Sequence, residues 1–328
     1  MTNNKHPFVS VIVAARNEEK YIRECLDSLL AQDYPRNRYE ILIVDGRSTD
    51  GTRKIVEGYA KTRSNIKLVD NPRVNAAAGR NIGIKEARGE VLIMFSGHAR
   101  AKGNFISTLT SKLVASDSSV AGVGCGHETP PGDPFIAKSI GLVMGSRFGG
   151  YGTTFPRGGK ERFVDSIAFT AYRKEIFKKV GLHDERFVVG QDGELNLRIK
   201  KAGYKLLYTP KTMAYHHKKG SLSKFLRQMF NYGVARMKMI RKHPDTLRAL
   251  YLMPSLFVLA LIFLAILSLF IHVIVYPFLI VVCAYFVCAL ISSAAIAWKH
   301  GAGYLALPIV YFIEHAAYGL GFLGGIRR

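Results

Sequence analysis

Phe8-Val-Ser-Val-Ile-Val-Ala-Ala-Arg-Asn-Glu18 and Glu40-Ile-Leu-Ile-Val-Asp-Gly-Arg-Ser-Thr-Asp-Gly-Thr52 repeat one pattern, a short β-rich apolar run that stops on polar and charged residues. Phe8 to Ala14 reads as a strand, and Lys20 to Gln32 then shows helical spacing. Glu40 to Val44 is a second strand, followed by a helix from about Thr52. Ile66 to Val69, Ala76 to Ala87 and Glu90 to Phe95 continue as strand, helix and strand. This βαβαβ order predicts an α/β fold with a mainly parallel sheet, helices on both faces and a ligand crevice beyond the carboxyl ends of the strands. Arg16-Asn17-Glu18, Asp45 and Ser96-Gly97-His98 fall at those ends.

Asp45 closes the run Ile41-Leu42-Ile43-Val44, where a carboxylate has little packing reason to be, so it is expected to face the crevice. Ser48-Thr49-Asp50-Gly51-Thr52 supplies hydroxyls and a carboxylate suited to unpaired amides at a helix start, a role as compatible with these residues as ligand binding.

A different composition begins near Leu250. From there to Trp298 there is no Asp, Glu, Lys or Arg. At about 20 apolar residues per crossing, this stretch holds two spans, turning near His272 to Pro277. A third candidate, Tyr304 to Ile326, carries Glu314 and His315, which calls for an inward-facing or interfacial setting. Arg236, Lys238, Arg241, Lys242 and Arg248 crowd before the first span and place that flank on the cytoplasmic side. Phe8 to Ala15 is too short for a secretory leader, so the amino-terminal part is expected in the cytoplasm of a multi-pass protein of the cell membrane. Three full spans would put Arg327 and Arg328 outside, against the charge rule, whereas two spans plus an interfacial segment keep them inside.

The formal charge of +22 suits nucleic acid, anionic lipid or phosphorylated substrates. The apolar spans select lipid, where each Lys or Arg near anionic headgroups contributes about 1 kcal/mol; no nucleic-acid motif is present, and nucleic acid is not an expected partner. Cys25, Cys125, Cys283 and Cys288 show no paired framework and read as reduced thiols. Gly319-Leu-Gly321-Phe-Leu-Gly324 matches a dinucleotide fingerprint by letter, but no strand precedes it and close helix packing explains it. His98, His127, His216 and His217 lack the spacing of a structural zinc site.

Four pieces together carry a resemblance: Val9 to Glu18, Ile43 to Thr52, Ala78-Gly-Arg-Asn-Ile-Gly83, and Gly190-Gln-Asp-Gly-Glu-Leu-Asn-Leu-Arg198. In this order they resemble the family 2 glycosyltransferases of GT-A fold over roughly residues 8 to 217. More narrowly, Ser96-Gly97-His98-Ala99, Asp192 to Asn196 and Arg227 to Arg236 look like the succinoglycan-type glucosyltransferases of exopolysaccharide pathways. The resemblance implies a GT-A domain, taken over 1–220; helical spacing and the charge-free apolar stretch add an interfacial amphipathic helix over 221–247 and a membrane region over 248–328. It implies an inverting hexosyltransferase using a nucleotide-sugar, commonly a UDP-sugar. Ala14, Arg16, Glu18, Asp45, Ser48, Arg80, Asn81, Ser96 and Gly97 would hold the donor, with Asp45 on the base and Arg80 on the diphosphate. Asp192 would be the catalytic base, removing a proton from the acceptor hydroxyl. It follows Gln191 where the family has Glu, so one helper carboxylate is missing, and Glu194 stands nearby.

Where the family carries Asp-x-Asp to bind a divalent cation, this chain has Ser96-Gly97-His98. His98, with His216 matching a late family histidine, is left as the metal-binding group for manganese or magnesium, and imidazole favours transition metals. Neutralisation of the diphosphate by Arg and Lys is the alternative.

From Ser221 to Lys242, Leu222, Phe225, Leu226, Met229, Phe230, Met237 and Ile240 recur at helical spacing, with Lys224, Arg227, Lys238 and Lys242 away from them. Such a helix lies in a membrane interface. Arg236, at the edge of the stripe, would snorkel to headgroups or meet an acceptor phosphate, and Gln228 and Glu194 complete the acceptor side. A polyprenyl-diphosphate-linked glycan fits as acceptor, and other glycosyltransferases of the same pathway are conceivable partners. Rival readings are a processive synthase, disfavoured because Gln228 is not followed by Arg-Trp at the required spacing, a polyprenyl-phosphate glycosyltransferase, which needs no base, and a catalytically dead nucleotide-sugar-binding subunit.

Overall fold

The computed structural model describes residues 6–150, 158–218 and 220–327. They fall into two compact units, one drawn from Met1–Glu128 and Phe155–His217, the other from Thr129–Thr154 and Lys218–Arg328.

The first unit is built on a single sheet. Its strands are β1 (Val9–Ala15), β2 (Tyr39–Asp45), β3 (Ile66–Asp70), β4 (Val91–Ser96), β5 (Ala99–Ala101), β6 (Val120–Glu128), β7 (Arg162–Val164), β8 (Thr170–Arg173) and β9 (Lys205–His216). They run in the order β3-β2-β1-β4-β8-β6-β9-β5, with β7 also on β9. β3, β2, β1 and β4 are parallel, and β8 joins antiparallel to β4 and to β6.

Helices α1 (Ile22–Leu30), α2 (Thr52–Thr62), α3 (Ala76–Glu86) and α4 (Phe105–Ala115) follow; α5 (Phe135–Gly145) belongs to the second unit, and α6 (Ile176–Val180) and α7 (Gln191–Lys201) return to the first. Alternate residues of each parallel strand feed two cores. Val11, Val13, Ile41 and Ile43 pack with Leu26 and Leu29 of α1 and Phe105 and Leu109 of α4. Ile12, Leu42, Val44 and Met94 pack with Ile84 of α3 and Leu195 and Ile199 of α7. Burial on both faces is why these strands read as continuous apolar runs, and each fully buried Leu, Ile or Val contributes roughly 1.5–3 kcal/mol.

The chain steps from β1 outward to β2 and β3, then returns to place β4 on the other side of β1. That reversal opens the sheet between the carboxyl ends of β1 and β4. The register sets Ala14 beside Ser96 and Ala15 beside Asp45, so the polar ends of three strands converge there.

The second unit contains α5, α8 (Leu222–Lys242), α9 (Ala249–Ser268), α10 (Val275–His300) and α11 (Pro308–Gly324). Residues 129–150, which the sequence places inside 1–220, pack with this unit because α5 is itself apolar: its Ile140 and Val143 share a core with Phe225, Met229, Leu307, Val310 and Tyr311. Three segments, Ala249–Ser268, His272–His300 and Ala302–Arg327, are long and apolar enough to cross a membrane. The first two are 17% and 6% buried, the third 56%, so α11 is the inner helix of the three. That position accommodates Glu314 and His315, both buried, with His315 Nδ1 3.0 Å from Tyr285 Oη.

The glycine run in α11 is a packing device, as its apolar setting suggests. A Cβ at Gly321 would lie 2.0 Å from the Phe230 carbonyl oxygen, and one at Gly319 2.5 Å from that of Pro254. Gly233 of α8 answers from the other side, its Cβ position 2.1 Å from the Tyr318 carbonyl oxygen. α8 therefore spends part of its apolar stripe on α11, with Phe225 and Met229 buried and Leu226 exposed.

Candidate active site

The β1–α1 loop is fastened to the β2–α2 turn. Asn17 adopts φ 54°, a conformation Asn tolerates better than most residues. Its amide donates to Ser48 Oγ at 2.9 Å and its Oδ1 accepts from the Thr49 amide at 2.8 Å. The Glu18 and Glu19 amides donate to Thr52 Oγ1 and Asp50 Oδ2 at 2.7 and 3.1 Å. Asp50 also accepts from the Thr52 amide and hydroxyl. Burial alone would raise the Asp50 carboxyl, but the hydrogen bonds from Thr52 and Glu19 outweigh it and hold Asp50 below the ordinary carboxylate value.

Asp45 corrects an expectation. Its carboxylate does not stand open to the crevice: it is 1% exposed, accepts from the Ser48 hydroxyl at 2.5 Å and amide at 3.2 Å, and has Arg53 at 3.6 Å. Capping its own turn satisfies it. Ala14 is half-buried, whereas Arg16 stays exposed at the rim.

At the end of β4, Gly97 permits a close approach: a Cβ there would meet Glu18 Cγ at 3.1 Å and Ala15 Cβ at 3.2 Å. Through that gap Glu18 Oε1 reaches His98 Nδ1 at 2.7 Å, with Ser96 Oγ 3.3 Å from the ring. Strand pairing sets Ala99 opposite His216, and the His98 and His216 rings lie 4.7 Å apart. His127 follows at 5.5 Å from His216.

Two imidazoles and a carboxylate thus meet at one place. Among the described residues no three His, Cys, Asp or Glu groups are arranged to hold an ion by themselves, so a cation here would need further oxygens, such as those of a diphosphate. A nitrogen-rich donor set of this kind fits manganese better than magnesium.

Across the crevice, Gly190 (φ 79°) turns the chain into α7, and Asp192 occupies its first turn, where the helix dipole favours a carboxylate. Arg80 of α3 lies against it, guanidinium to Asp192 Oδ1 at 2.5 Å. The pair is set by stitching between α3 and the loop before α7. Asn75 caps α3 through the Ala77 amide and donates to the Glu185 carbonyl at 2.6 Å. Asn81 exchanges hydrogen bonds with the His183 backbone, each 2.9 Å, and donates to Glu185 Oε1. Asn81, expected to touch the donor, is 3% exposed and engaged in this stitching.

Glu194, expected on the acceptor side, lies away from the crevice. It is fully buried and paired with Arg198 at 2.8 Å, and Arg198 also donates to the Leu182 carbonyl at 2.7 Å. Two residues along a helix do not share a face, so Glu194 points into the protein while Asp192 meets Arg80. His183, carrying no motif, was not readable as part of this constellation. Burial, then the Arg80 charge, pushes it down to about 4, which keeps the imidazole neutral.

The model of glycosyl transferase family 2 matches residues 10–181. The chain belongs to that family. This glycosyltransferase is 31% identical, over 98% of both chains, to a Methanococcus voltae dolichyl N-acetyl-alpha-D-glucosaminyl phosphate 3-beta-D-2,3-diacetamido-2,3-dideoxy-beta-D-glucuronosyltransferase. It is 28% identical to the succinoglycan biosynthesis protein ExoA of Rhizobium meliloti, over 71% of this chain and 70% of that protein. Its fold is similar to that of the mannosyltransferase PcManGT from Pyrobaculum calidifontis, solved with GDP-Man and Mn2+, at TM-score 0.63 and 18% identity over 98% of this chain and 87% of that one. The GT-A fold expected from the sequence is thereby established.

In the second unit of the glycosyltransferase, Gln228 Nε2 donates to Tyr232 Oη at 3.3 Å, and the Arg236 guanidinium lies 4.1 Å from the Tyr251 ring centroid. The cation–π contact gives Arg236 a local partner at the start of α9.

Proposed function

We propose that this glycosyltransferase moves one sugar, with inversion, from a nucleotide-sugar, a UDP-hexose in the first instance, to a membrane-bound sugar on a polyprenyl phosphate or diphosphate. The observation that carries the reading is Asp192, partly exposed in the first turn of α7 and facing Arg80. The acceptor hydroxyl oxygen attacks the anomeric carbon, Asp192 takes the hydroxyl proton, and the bond from that carbon to the donor's phosphate oxygen breaks, releasing nucleoside diphosphate with the electron pair. Ser48 and the β1–α1 loop, braced from below by the buried Asp45, form the base end of the donor site, and Arg80 and the Ser96-Gly97-His98 turn its phosphate end.

His98 and His216, with Glu18 behind His98, would hold a divalent cation, manganese before magnesium. Such an ion, when bound, neutralises charge on the departing diphosphate. The Methanococcus voltae relative, named for a dolichyl phosphate-linked substrate, supports a lipid-linked acceptor. α9 and α10 serve as spans, α8 lies along the interface, and the first unit works at the cytoplasmic face of the cell membrane.

The test is release of nucleoside diphosphate from UDP-, GDP- and TDP-sugars by the full chain in detergent, with polyprenyl-linked acceptors, with and without manganese. Acceptor-dependent release from one UDP-sugar is expected. Binding of donors with no release from any of them, across acceptors, would contradict the reading and favour a binding subunit.

A further inference from the structure

We propose that Arg80 serves two anions in turn, neutralising Asp192 while the donor site is empty and passing to the donor's diphosphate when it fills, so that the base is released only on a loaded enzyme. The inference rests on the reading of Asp192 as base and goes beyond it by naming what controls that base.

The geometry makes exchange cheap for the side chain and hard for the backbone. Arg80 is 13% and Asp192 28% exposed, so both are reachable from the crevice and neither is sealed. Arg80 commits one terminal nitrogen to Asp192, whereas its buried Nε–H has no acceptor among the described residues. A buried donor left unmade is costly, and an arriving oxyanion would satisfy it. α3 itself cannot follow an incoming ligand: Asn75 and Asn81 tie it to residues 183–185. Its first turn also sits on the strand ends, where a Cβ at Gly79 would be 3.5 Å from Ala14 Cβ and 3.7 Å from Val44 Cγ1.

Arg80 therefore hangs at the carboxyl ends of β1 and β2, where this fold places its ligand, and only its side chain has to move. A diphosphate carries more charge than one carboxylate and offers the guanidinium bidentate contacts. While paired with Arg80, Asp192 is a blocked proton acceptor; once Arg80 has moved, its free oxygen can take the acceptor hydroxyl.

Coupling between two ligands of one group is reciprocal. Removing the Asp192 charge must therefore tighten the diphosphate's hold on Arg80. Titration calorimetry on the full chain in detergent would compare UDP, GDP and TDP with uridine, guanosine and thymidine, for the wild type, Asp192→Asn, Arg80→Ala and the double variant. Expected are about a five- to tenfold gain in diphosphate affinity for Asp192→Asn, within the usual range of coupling, and a loss of about tenfold or more for Arg80→Ala. In the Arg80→Ala background Asp192→Asn should have no further effect, and nucleoside affinity should be constant throughout, which also reports that each variant is folded.

A gain that persists without Arg80 would reveal simple repulsion between Asp192 and phosphate and overturn the proposal. An Asp192→Asn affinity no better than wild type would overturn it as well. Wild-type protein that binds none of the diphosphates would instead bring down the donor reading on which the proposal stands.

Discussion

The two sides of the crevice are built to different rules. On the β1–β2 side, Asp45, Ser48, Asp50, Asn17 and Thr52 satisfy one another through short hydrogen bonds and need nothing further. In the groups that α3, α7 and the turn after β4 bring to the crevice, the Arg80 Nε–H has no acceptor among the described residues, the Glu18 carboxylate reaches a His98 ring nitrogen, and Asp192 is ion-paired with Arg80. The first side is a finished floor, its polar groups already partnered; the second is a set of groups that a diphosphate and an acceptor would complete. Substitution should accordingly cost stability on one side and chemistry on the other.

The largest effect is expected on the unfinished side. Asp192→Asn should lower turnover by about 10²–10⁴-fold, the range of a lost general base, with the thermal unfolding midpoint unchanged; substantial residual turnover would move the base elsewhere.

His183 sharpens the contrast, since it stands behind the reactive pair but acts on stability. Its folded pKa, about 4, lies below its ordinary 6.5, so the native chain binds fewer protons than the unfolded one between those values. Stability fully present above pH 6.5 is lost as pH falls toward 4, by about 3 kcal/mol in all. Denaturant melts across that window would show the slope, and His183→Gln should flatten it.

Glu18→Gln comes next. A carboxylate that orients a metal-binding imidazole is worth about 10–100-fold in metal affinity, so manganese binding in the presence of UDP, followed by electron paramagnetic resonance, should weaken by that factor while metal-free uridine binding stays put. Unchanged manganese binding would remove Glu18 and His98 from the cation site.

On the finished side, Asp50→Ala removes hydrogen bonds from the Glu19 and Thr52 amides and the Thr52 hydroxyl, a loss of about 1 kcal/mol. Because Asp50 is held below its ordinary 3.8, its contribution is present above that pH and is lost as pH falls below it. Wild type and Asp50→Ala should therefore converge in stability under acid, and a constant gap would contradict the hydrogen-bond assignment.

What the sequence disclosed follows the same division. Strand–helix alternation was legible because both faces of β1, β2 and β4 are buried, which writes continuous apolar runs, and the expected boundaries fall within about two residues of those seen. The glycines of α11 were legible as packing because no strand precedes them. The antiparallel additions β7 and β8 were not, since each is three or four residues long and is made by pairing with distant strands. α5 looks like any apolar helix until its partners, some 85 to 170 residues away, are known.

At the site, Asp192 was legible from its motif, and Arg80 from its own, but not their pairing across 112 residues. Glu194 stands two residues from Asp192 in the sequence, but helical periodicity sets i and i+2 on different faces, and it is buried against Arg198.

The most direct test of the central claim is the anomeric configuration of the first product, read by proton NMR coupling after a single turnover with an isotopically labelled UDP-sugar and a polyprenyl-linked acceptor. A single displacement assisted by Asp192 predicts inversion relative to the donor; retention would require a covalent or front-side route and would contradict the account.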